Sequence, residues 1–313
     1  MKNTIQEMAA ITGATSTSSS GVSNVQGSEW LKTILEAAKK RMYFEQFAYV
    51  TDVAAGNKDV IIPLVSTNKS FSDDTTQTSR TYTELDNMSS VTLTPATHKY
   101  GVVISEDVVR TSQVDYISFA RDQLAYDMAL DIDTAIGAAI AAEASPAATL
   151  YGGDANSTGT LEAGDILTTD LIAKAQRYLK ANGWVSEPDR PFVIFVSAVQ
   201  EEALLKDSQF TNAAEYGGNE VVMNGEIGKY LGVKVISSEQ IPSSSTWGTG
   251  ALAGHTCLMV KGKVSYGVAW GLRPRLDSEF FKEAAAYKIY LDCAYATDSL
   301  QGSAIVLLKV SDA

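Results

Sequence analysis

The residues best suited to chemistry in this chain are its two histidines, His98 and His255. Histidine is a common general base and metal ligand, because its ring titrates near neutral pH. His255 lies two residues before Cys257, but a His-x-Cys pair alone cannot close a tetrahedral zinc site. Neither histidine stands near the serine and aspartate pattern of a catalytic triad. The sequence therefore predicts no catalytic residue, no metal site and no cofactor, and we expect a protein that is not an enzyme.

Two other arrangements have both a chemical and a structural interpretation. Asp127 and Asp131 lie one helical turn apart, which suits an acid–base or metal pair, but the solvated face of an acidic helix explains them better. The segment 225–232 contains glycines and a lysine, yet Tyr230 stands where a phosphate-binding loop requires Ser or Thr. We predict a short helix over 225–230 instead, with the last glycine as its stop.

The composition is that of a globular protein with an acidic surface. The 313 residues include 37 Asp and Glu against 25 Lys and Arg, which gives a formal net charge of −12. Such a surface repels phosphate, so extensive nucleic-acid binding is not expected, although a container that holds DNA tolerates an acidic wall. No apolar run approaches the roughly 20 residues that span a membrane, and the N-terminus lacks a signal peptide's apolar stretch. We therefore expect assembly in the cytoplasm, with Cys257 and Cys293 reduced and buried.

The first hundred residues combine a polar arm with a predicted hairpin. Residues 1–27 are rich in Ser, Thr, Gly and Asn, which is typical of a segment that does not fold alone, and 29–42 has helical spacing. Val60–Val65 is predicted as an edge strand because it contains a proline, and Ser90–Thr94 as a second extended segment. The polar stretch between them, 68–88, is predicted to be the tip of a projecting hairpin, since so long an insertion is usually functional.

A long helix is predicted after the hairpin. A β-rich run ends at Ser105, and apolar residues at helical spacing then predict one helix over about 114–143. At 1.5 Å per residue this helix is about 45 Å long. Its apolar stripe comprises Ile117, Leu124, Met128, Ile132, Ala135, Ile136 and Ala139. An extended arm that feeds so long a helix suits a protein that contacts several neighbours better than it suits a catalytic pocket.

The second half of the chain alternates helices with strands and then becomes β-rich. Helices are predicted over 171–181, after a threonine cap, and over 198–205. Strands over 192–196 and 233–236 complete an order that is typical of an α/β layer with parallel pairing. Residues 243–250 are interpreted as a polar loop. The remaining predicted strands are 256–260, 263–270, 275–281, 286–296 and 303–310.

In their order and spacing, four stretches resemble the major capsid protein of tailed double-stranded DNA bacteriophages. They are the passage 91–109 with Ser105-Glu106-Asp107, the helix end Leu130–Gly137, the passages 195–205 and 228–242, and the late strands. The resemblance implies an α+β fold with an N-terminal arm, an extended hairpin loop, a peripheral domain built on a long spine helix, and an α/β axial domain. The implied limits are 1–57 for the arm with a short helix, 58–103 for the hairpin loop, 104–167 and 266–313 for the peripheral domain, and 168–265 for the axial domain.

The resemblance also implies a function and partners. The function is that of a structural protein of the virion, which self-assembles as hexamers and pentamers into an icosahedral shell around the viral double-stranded DNA. Contact with that DNA is non-specific, and scaffolding, portal and decoration proteins are further implied partners. The short N-terminal arm leaves no room for a fused scaffolding domain of the usual size. The predicted contacts with a neighbouring subunit, in the hairpin tip, are Lys69, Tyr82, Leu85 and Met88.

Covalent cross-linking is known in some members of this family, between a lysine of the hairpin loop and an asparagine of a neighbour. Lys69 occupies a suitable stretch here, but no asparagine occurs after Asn224, so the late-strand acceptor is missing. Asp292 or Asp298 could substitute in principle. We predict no such cross-link, so no ladder of linked subunits should survive boiling in detergent.

Three other interpretations stay open on the sequence. A cellular nanocompartment would share the shell fold but enclose an enzyme instead of DNA. An α/β enzyme would use the layer predicted over 168–237, and a tail or adhesion protein would also be rich in strands and in Ser and Thr. The lack of a catalytic motif argues against the enzyme, and the long Asp-rich helix argues against the tail protein.

Overall fold

The computed structural model describes residues 43–65, 88–112, 115–207, 229–248 and 252–312. The predicted N-terminal arm and the helix predicted over 29–42 lie outside these ranges, as does the hairpin tip up to residue 87. No helix within them is long and apolar enough to cross a membrane.

The described ranges contain four α-helices and thirteen β-strands. The helices are α1 Glu106–Thr111, α2 Tyr116–Ala141, α3 Thr169–Ala181 and α4 Ala198–Lys206. The strands are β1 Tyr49–Asp52, β2 Val60–Val65, β3 Met88–Leu93, β4 Ala96–Ser105, β5 Ala148–Tyr151, β6 Phe192–Val196, β7 Lys229–Tyr230, β8 Val233–Ser237, β9 Ser243–Trp247, β10 Leu252–Lys261, β11 Tyr266–Phe281, β12 Ala286–Ser299 and β13 Ile305–Ser311.

Two compact units divide the described residues. The smaller unit contains Gly101–Ala125 and Leu276–Tyr290, and the larger unit contains the rest. Inside the smaller unit, the amide of Glu106 donates to the carbonyl of Ala285 at 2.8 Å, and the ring centroids of Phe280 and Tyr287 lie 5.0 Å apart. The domain limits implied by the resemblance stay a prediction.

The larger unit is built on a seven-stranded sheet. Its strand order is β5-β13-β10-β6-β8-β7, and β9 pairs with β10 beside this path. The central strand β6 is an apolar run whose five side chains are all buried, and it pairs parallel with β8. A strand covered on both faces reads as a continuous apolar run, which is why the sequence identified it. The predicted parallel pairing is confirmed.

Helix α3 packs beside this sheet with its predicted cap. The Thr168 hydroxyl accepts a hydrogen bond from the amide of Leu171, which satisfies one of the free donors at the helix start. The apolar side chains Leu171, Ile172 and Leu179 are buried on one side of α3. The spacing of these residues is the helical period that predicted the element.

The long helix α2 buries an apolar side chain at every fourth position from Ala120 to Ile140. It spans 26 residues, Tyr116–Ala141, inside the predicted limits, and the separate short helix α1 precedes it. Ile117, Ala135 and Ala139 of the predicted stripe are only half-buried, so the buried stripe is narrower than predicted. The buried apolar side chains of α2 are Ala120, Leu124, Met128, Ile132, Ile136 and Ile140.

Two smaller predictions are wrong. Lys229 and Tyr230 form strand β7 where a helix over 225–230 was predicted, and residues 225–228 lie outside the described ranges. The next two residues, Leu231 and Gly232, both have positive φ and form a tight turn into β8, so Gly232 is not a helix stop. Ser243–Trp247, predicted as loop, forms β9, because a strand that leaves most side chains to solvent accommodates Ser and Thr.

Two further sheets complete the described strands. A four-stranded sheet has the order β1-β11-β12-β4, in which β1 runs parallel to β11 from Tyr49 opposite Gly267 to Asp52 opposite Trp270. Strand β11 is continuous where two strands, 263–270 and 275–281, were predicted. The third sheet is the pair β2 and β3 alone.

Candidate subunit-contact surfaces

The hairpin of β2 and β3 exposes several apolar side chains in the described part of the larger unit. Its register runs from Val60 opposite Leu93 to Val65 opposite Met88. Leu93, at the base, is buried, whereas Ile61, Val65 and Met88 are 62%, 54% and 69% exposed. A two-stranded hairpin without a covering layer is marginally stable in water, and exposed apolar side chains on it mark an interaction surface.

The structure places one of the four predicted contact residues. Met88 is the first residue of β3 and pairs with Val65, at the last described step of the hairpin. Lys69, Tyr82 and Leu85 lie outside the described residues. Their predicted role in subunit contacts therefore stays a prediction, and so does that of Met88.

The two candidate cross-link acceptors both lie on β12. Asp292 is half-buried and Asp298 is exposed. The Asp298 carboxylate accepts a hydrogen bond from the amide of Ser299 at 2.8 Å. The structure therefore gives positions for both acceptors but not for Lys69.

A buried carboxylate holds the first described residues of the chain. Asp133 of α2 is 2% exposed and accepts hydrogen bonds from the amides of Phe44, at 2.8 Å, and Tyr43, at 3.3 Å. The Tyr266 hydroxyl donates to the carbonyl of Phe44 at 2.7 Å. The two amides lie directly before the short 3-10 helix Glu45–Phe47, so Asp133 satisfies backbone donors at the entry to this helix. The point where the N-terminal segment joins the core is therefore fixed.

A glycine on α2 makes room for the same anchor. A Cβ atom on Gly137 would lie 3.0 Å from the carbonyl oxygen of Gln240 and 3.3 Å from the Phe44 ring. Phe44 is fully buried, with its ring centroid 4.3 Å from that of Phe195 on β6. Gly137 thus lets Phe44 pack between the helix and the sheet.

Burial raises the pKa of Asp133 to about 6, against the lowering effect of its hydrogen bonds from the Phe44, Tyr43 and Glu45 amides. The neighbouring carboxylate of Glu45 raises it further. The pKa of the Tyr266 hydroxyl is raised well above its usual value by burial, with a smaller contribution from the charge of Asp133.

A groove of about 630 Å³ lies beside this anchor. Its lining includes Glu45, Val50, Met128, Trp270 and Arg273. Arg273 pairs with Asp52 through two hydrogen bonds of 3.0 and 3.1 Å, and its guanidinium lies 5.5 Å from the centre of the Trp270 ring. The groove has no convergent base and nucleophile, so its geometry does not suggest a reaction.

The histidines and cysteines have structural surroundings. His98 stacks on Tyr295 with ring centroids 4.4 Å apart, and Nδ1 of His255 lies 2.8 Å from the Asp312 carboxylate. Both cysteines are buried and unpaired, as predicted, and burial raises the pKa of the Cys257 thiol and of the Cys293 thiol. Within the described ranges, no cluster of three or more His, Cys, Asp or Glu side chains could hold a metal ion.

The predicted acidic face of α2 is confirmed as an exposed face. Asp127 and Asp131 are both exposed. Asp131 accepts a hydrogen bond of 2.7 Å from the hydroxyl of Tyr100. Burial raises the pKa of the Tyr100 hydroxyl, and this hydrogen bond to Asp131 raises the pKa by a smaller amount. Asp131 therefore helps to tie β4 to α2.

The sequence pattern did not reveal the anchoring role of Asp133. Its only signal is a charged residue among the apolar positions of an amphipathic helix, between Ile132 and Ile136. Its partners are backbone amides about ninety residues away in sequence, and no residue type encodes them. A buried charge is expected to be paired, but the sequence does not say with what.

These features together define an α+β fold with a buried sheet core, a long helix and a two-stranded hairpin that exposes apolar side chains within the described ranges. A family model described as "Phage capsid protein" matches residues 89–302, more than half of the chain. The chain belongs to the phage capsid protein family.

Solved capsid structures share this fold. The capsid protein of cyanophage Pam1 aligns with a TM-score of 0.72 at 16% identity, over 96% of this chain and 99% of that chain. The capsid protein of Ralstonia phage GP4 gives 0.70 at 15% identity, over 91% and 95%. That of Helicobacter pylori bacteriophage KHP30 gives 0.70 at 15% identity, over 95% and 100%. The predicted tailed-phage capsid fold is confirmed. A search of curated protein sequences finds no match.

Proposed function

We propose that this chain assembles with its own copies into the closed icosahedral shell of a phage head, which encloses double-stranded DNA. The observation that carries this proposal is the capsid family match over 89–302, which begins within the hairpin of β2 and β3. A capsid protein is a structural component of the virion, and the hairpin supplies an apolar surface suited to a neighbouring copy.

The hairpin supports a specific mode of assembly. Its exposed side chains Ile61, Val65 and Met88 gain free energy only when something covers them, at about 25 cal/mol per Å² of apolar surface. An identical copy is present wherever the shell grows, and a protruding hairpin adds contact area without enlarging the core. Lys69, Tyr82, Leu85 and Met88 are proposed to lie in this contact, with hexamers and pentamers as the assembly units.

The remaining expectations follow as parts of the proposal. The chain performs no reaction, forms no covalent link through Lys69, and assembles in the host cytoplasm with separate scaffolding, portal and decoration proteins. The match to a phage capsid family favours DNA over a protein cargo, so the nanocompartment is not favoured. Nuclease-protected DNA in particles from infected cells supports the phage head, and an enclosed enzyme contradicts it.

Electron microscopy of a hairpin deletion tests the proposal. Because Val65 and Met88 are directly paired, residues 66–87 can be replaced by Asn-Gly, which closes the two strands in a tight turn. We expect the full chain to form spherical shells, and the deletion variant to keep its thermal unfolding midpoint but form none.

A matched control keeps the length of the tip and changes its chemistry. A Gly/Ser linker of equal length in place of 66–87 removes Lys69, Tyr82 and Leu85 and preserves the reach of the loop. Failure of this variant to assemble assigns the contact to the side chains of the tip. Closed particles from both variants would refute the role of the tip, and the absence of shells from the full chain would refute the proposed function.

A further inference from the structure

The turn between β7 and β8 contains a leucine in a conformation that leucine disfavours. Tyr230 pairs with Val233, so the loop consists of Leu231 and Gly232 alone, with φ values of 49° and 81°. Positive φ at both positions is the requirement of a tight hairpin turn, which Asn-Gly or Gly-Gly meets without strain. Glycine adopts this conformation freely, but the Cβ atom of Leu231 meets a steric penalty.

Within the described ranges, no burial of the Leu231 side chain compensates for this strain. The Leu231 side chain is 56% exposed, although leucine is among the residues most often buried. Polar residues that favour left-handed backbone would suit both the turn and the solvent better. The side chain at this position therefore costs conformational energy and gains little from the part of the subunit that the structure describes.

The other strained residues differ from Leu231. In the described ranges, Lys263 and Ala285 are the other residues besides glycine with positive φ. The Lys263 amide donates to the carbonyl of Phe47, and the Ala285 carbonyl accepts from the amide of Glu106, so each takes part in a contact between distant segments. Neither exposes a large apolar side chain. Leu231 alone among the three combines strain with exposed apolar surface.

A buried amide fixes the Leu231 backbone in place. Gln176 of α3 is 8% exposed, and its Nε2 donates a hydrogen bond of 2.8 Å to the Leu231 carbonyl oxygen. A side chain on a backbone held in this way loses little freedom when it is bound, which favours binding. The turn adjoins β7, which ends the seven-stranded sheet in the described part of the chain, so the leucine lies beside an edge strand of this sheet.

We propose that the Leu231 side chain is a preorganised contact with a second copy of this chain in the assembled shell. The inference rests on the proposed function and names a contact outside the hairpin. A single protruding side chain offers no concavity for a small molecule, whereas an apolar recess on a neighbouring copy can bury it. Backbone strain that persists without a local compensation is typical of functional positions.

Three substitutions separate strain from contact. Leu231→Ala removes most of the side chain and keeps the steric penalty, Leu231→Gly removes both, and Leu231→Met keeps an apolar side chain. Leu205→Ala is the matched control, because Leu205 is 40% exposed on the regular helix α4. The measurements are the thermal unfolding midpoint of the unassembled subunit and the protein concentration at which half is in shells.

We expect the Gly variant to raise the unfolding midpoint by about 2 °C and the Ala variant to leave it unchanged or lower. We expect both to raise the half-assembly concentration by about tenfold or more, since a leucine that is buried on assembly is lost. The Met variant should stay within about threefold of the wild type, and Leu205→Ala should change neither measurement.

Each result decides the matter. Wild-type shells together with unaffected assembly of the Ala and Gly variants overturn this inference and leave the proposed function intact. An equal loss in Leu205→Ala also overturns it, because any exposed leucine would then have the same effect. A wild-type chain that forms no shells contradicts the proposed function and removes this inference with it.

Discussion

Strands β6 and β2 are both short apolar runs, yet they differ in how far their side chains are buried. β6, Phe192–Val196, is fully buried between β10 and β8, whereas β2, Val60–Val65, alternates exposed and half-buried residues and pairs only with β3. Two similar apolar sequences therefore have different roles in the protein. In β6 the hydrophobic effect stabilises the subunit, and in β2 it remains available for contacts with other molecules.

Substitution of one isoleucine in each strand allows the effect of burial on stability to be measured. Ile194 of β6 is fully buried, and Ile61 of β2 is 62% exposed. Threonine keeps the branched Cβ atom that favours strands but replaces a methyl-bearing arm with a hydroxyl, so strand propensity changes little. Differences between the two substitutions then report burial.

The largest effect is expected from Ile194→Thr. Its neighbours across the sheet are Met259 and Val235, and no water reaches it. The loss of apolar volume and the burial of a hydroxyl should lower the free energy of unfolding by about 2–4 kcal/mol. Denaturant unfolding monitored by circular dichroism measures the change. A loss below about 1 kcal/mol would contradict the assignment of β6 as the centre of the core.

An intermediate effect on the free energy of unfolding is expected when the pH changes the protonation of Asp133, which joins the first described residues of the chain to that core. Folding raises the pKa of Asp133 from 3.8 to about 6. The folded state therefore binds this proton more tightly than the unfolded state does. The protonated carboxyl group therefore stabilises the folded state fully at a pH below the unfolded-state pKa of 3.8, and this stabilisation is lost as the pH rises through about 6. From pH 4 to 7, the contribution of this group should therefore fall by about 1.5–3 kcal/mol.

The Asp133→Asn variant isolates that contribution. Relative to the wild type, the variant should become more stable as the pH rises from 4 to 7, because it has no carboxylate to ionise in the core. Urea unfolding at several pH values gives the difference between the two proteins. Asp122→Asn, an exposed aspartate of the same helix, controls for the loss of one charge. Parallel pH profiles for Asp133→Asn and the wild type would show that burial does not perturb this carboxylate.

The comparison of β6 with β2 also explains what the sequence could predict. A continuous apolar run identified β6, which is buried on both faces, and apolar periodicity identified α3 and most of α2, because a single buried face imposes a period on its residues. It misjudged 229–230 and 243–247, which form strands at the margin of a sheet with few buried side chains. It also missed the anchoring role of Asp133, because backbone amides of Tyr43 and Phe44 carry no sequence signature.

The candidate contacts were harder to predict than the fold for the same physical reason. The sequence of β2 predicted an edge strand correctly, but the partner of an exposed face lies outside the chain. The strained Leu231 became visible only when the register of β7 and β8 reduced the turn to two residues. A residue that contacts another copy shows in the isolated subunit only as backbone strain or exposed apolar surface that the subunit itself does not explain.

The smallest effect on subunit stability is expected from Ile61→Thr. Because the side chain is largely exposed, the free energy of unfolding should stay within about 0.5 kcal/mol of the wild type. If a neighbouring copy covers Ile61 in the shell, the same substitution should raise the half-assembly concentration by about tenfold, because an apolar contact is replaced by a hydroxyl. Light scattering and electron microscopy of unmixed wild-type and variant protein measure it. Normal assembly with normal stability would mean that the exposed face of β2 has no partner, and the contrast with β6 would then reflect only a solvated edge.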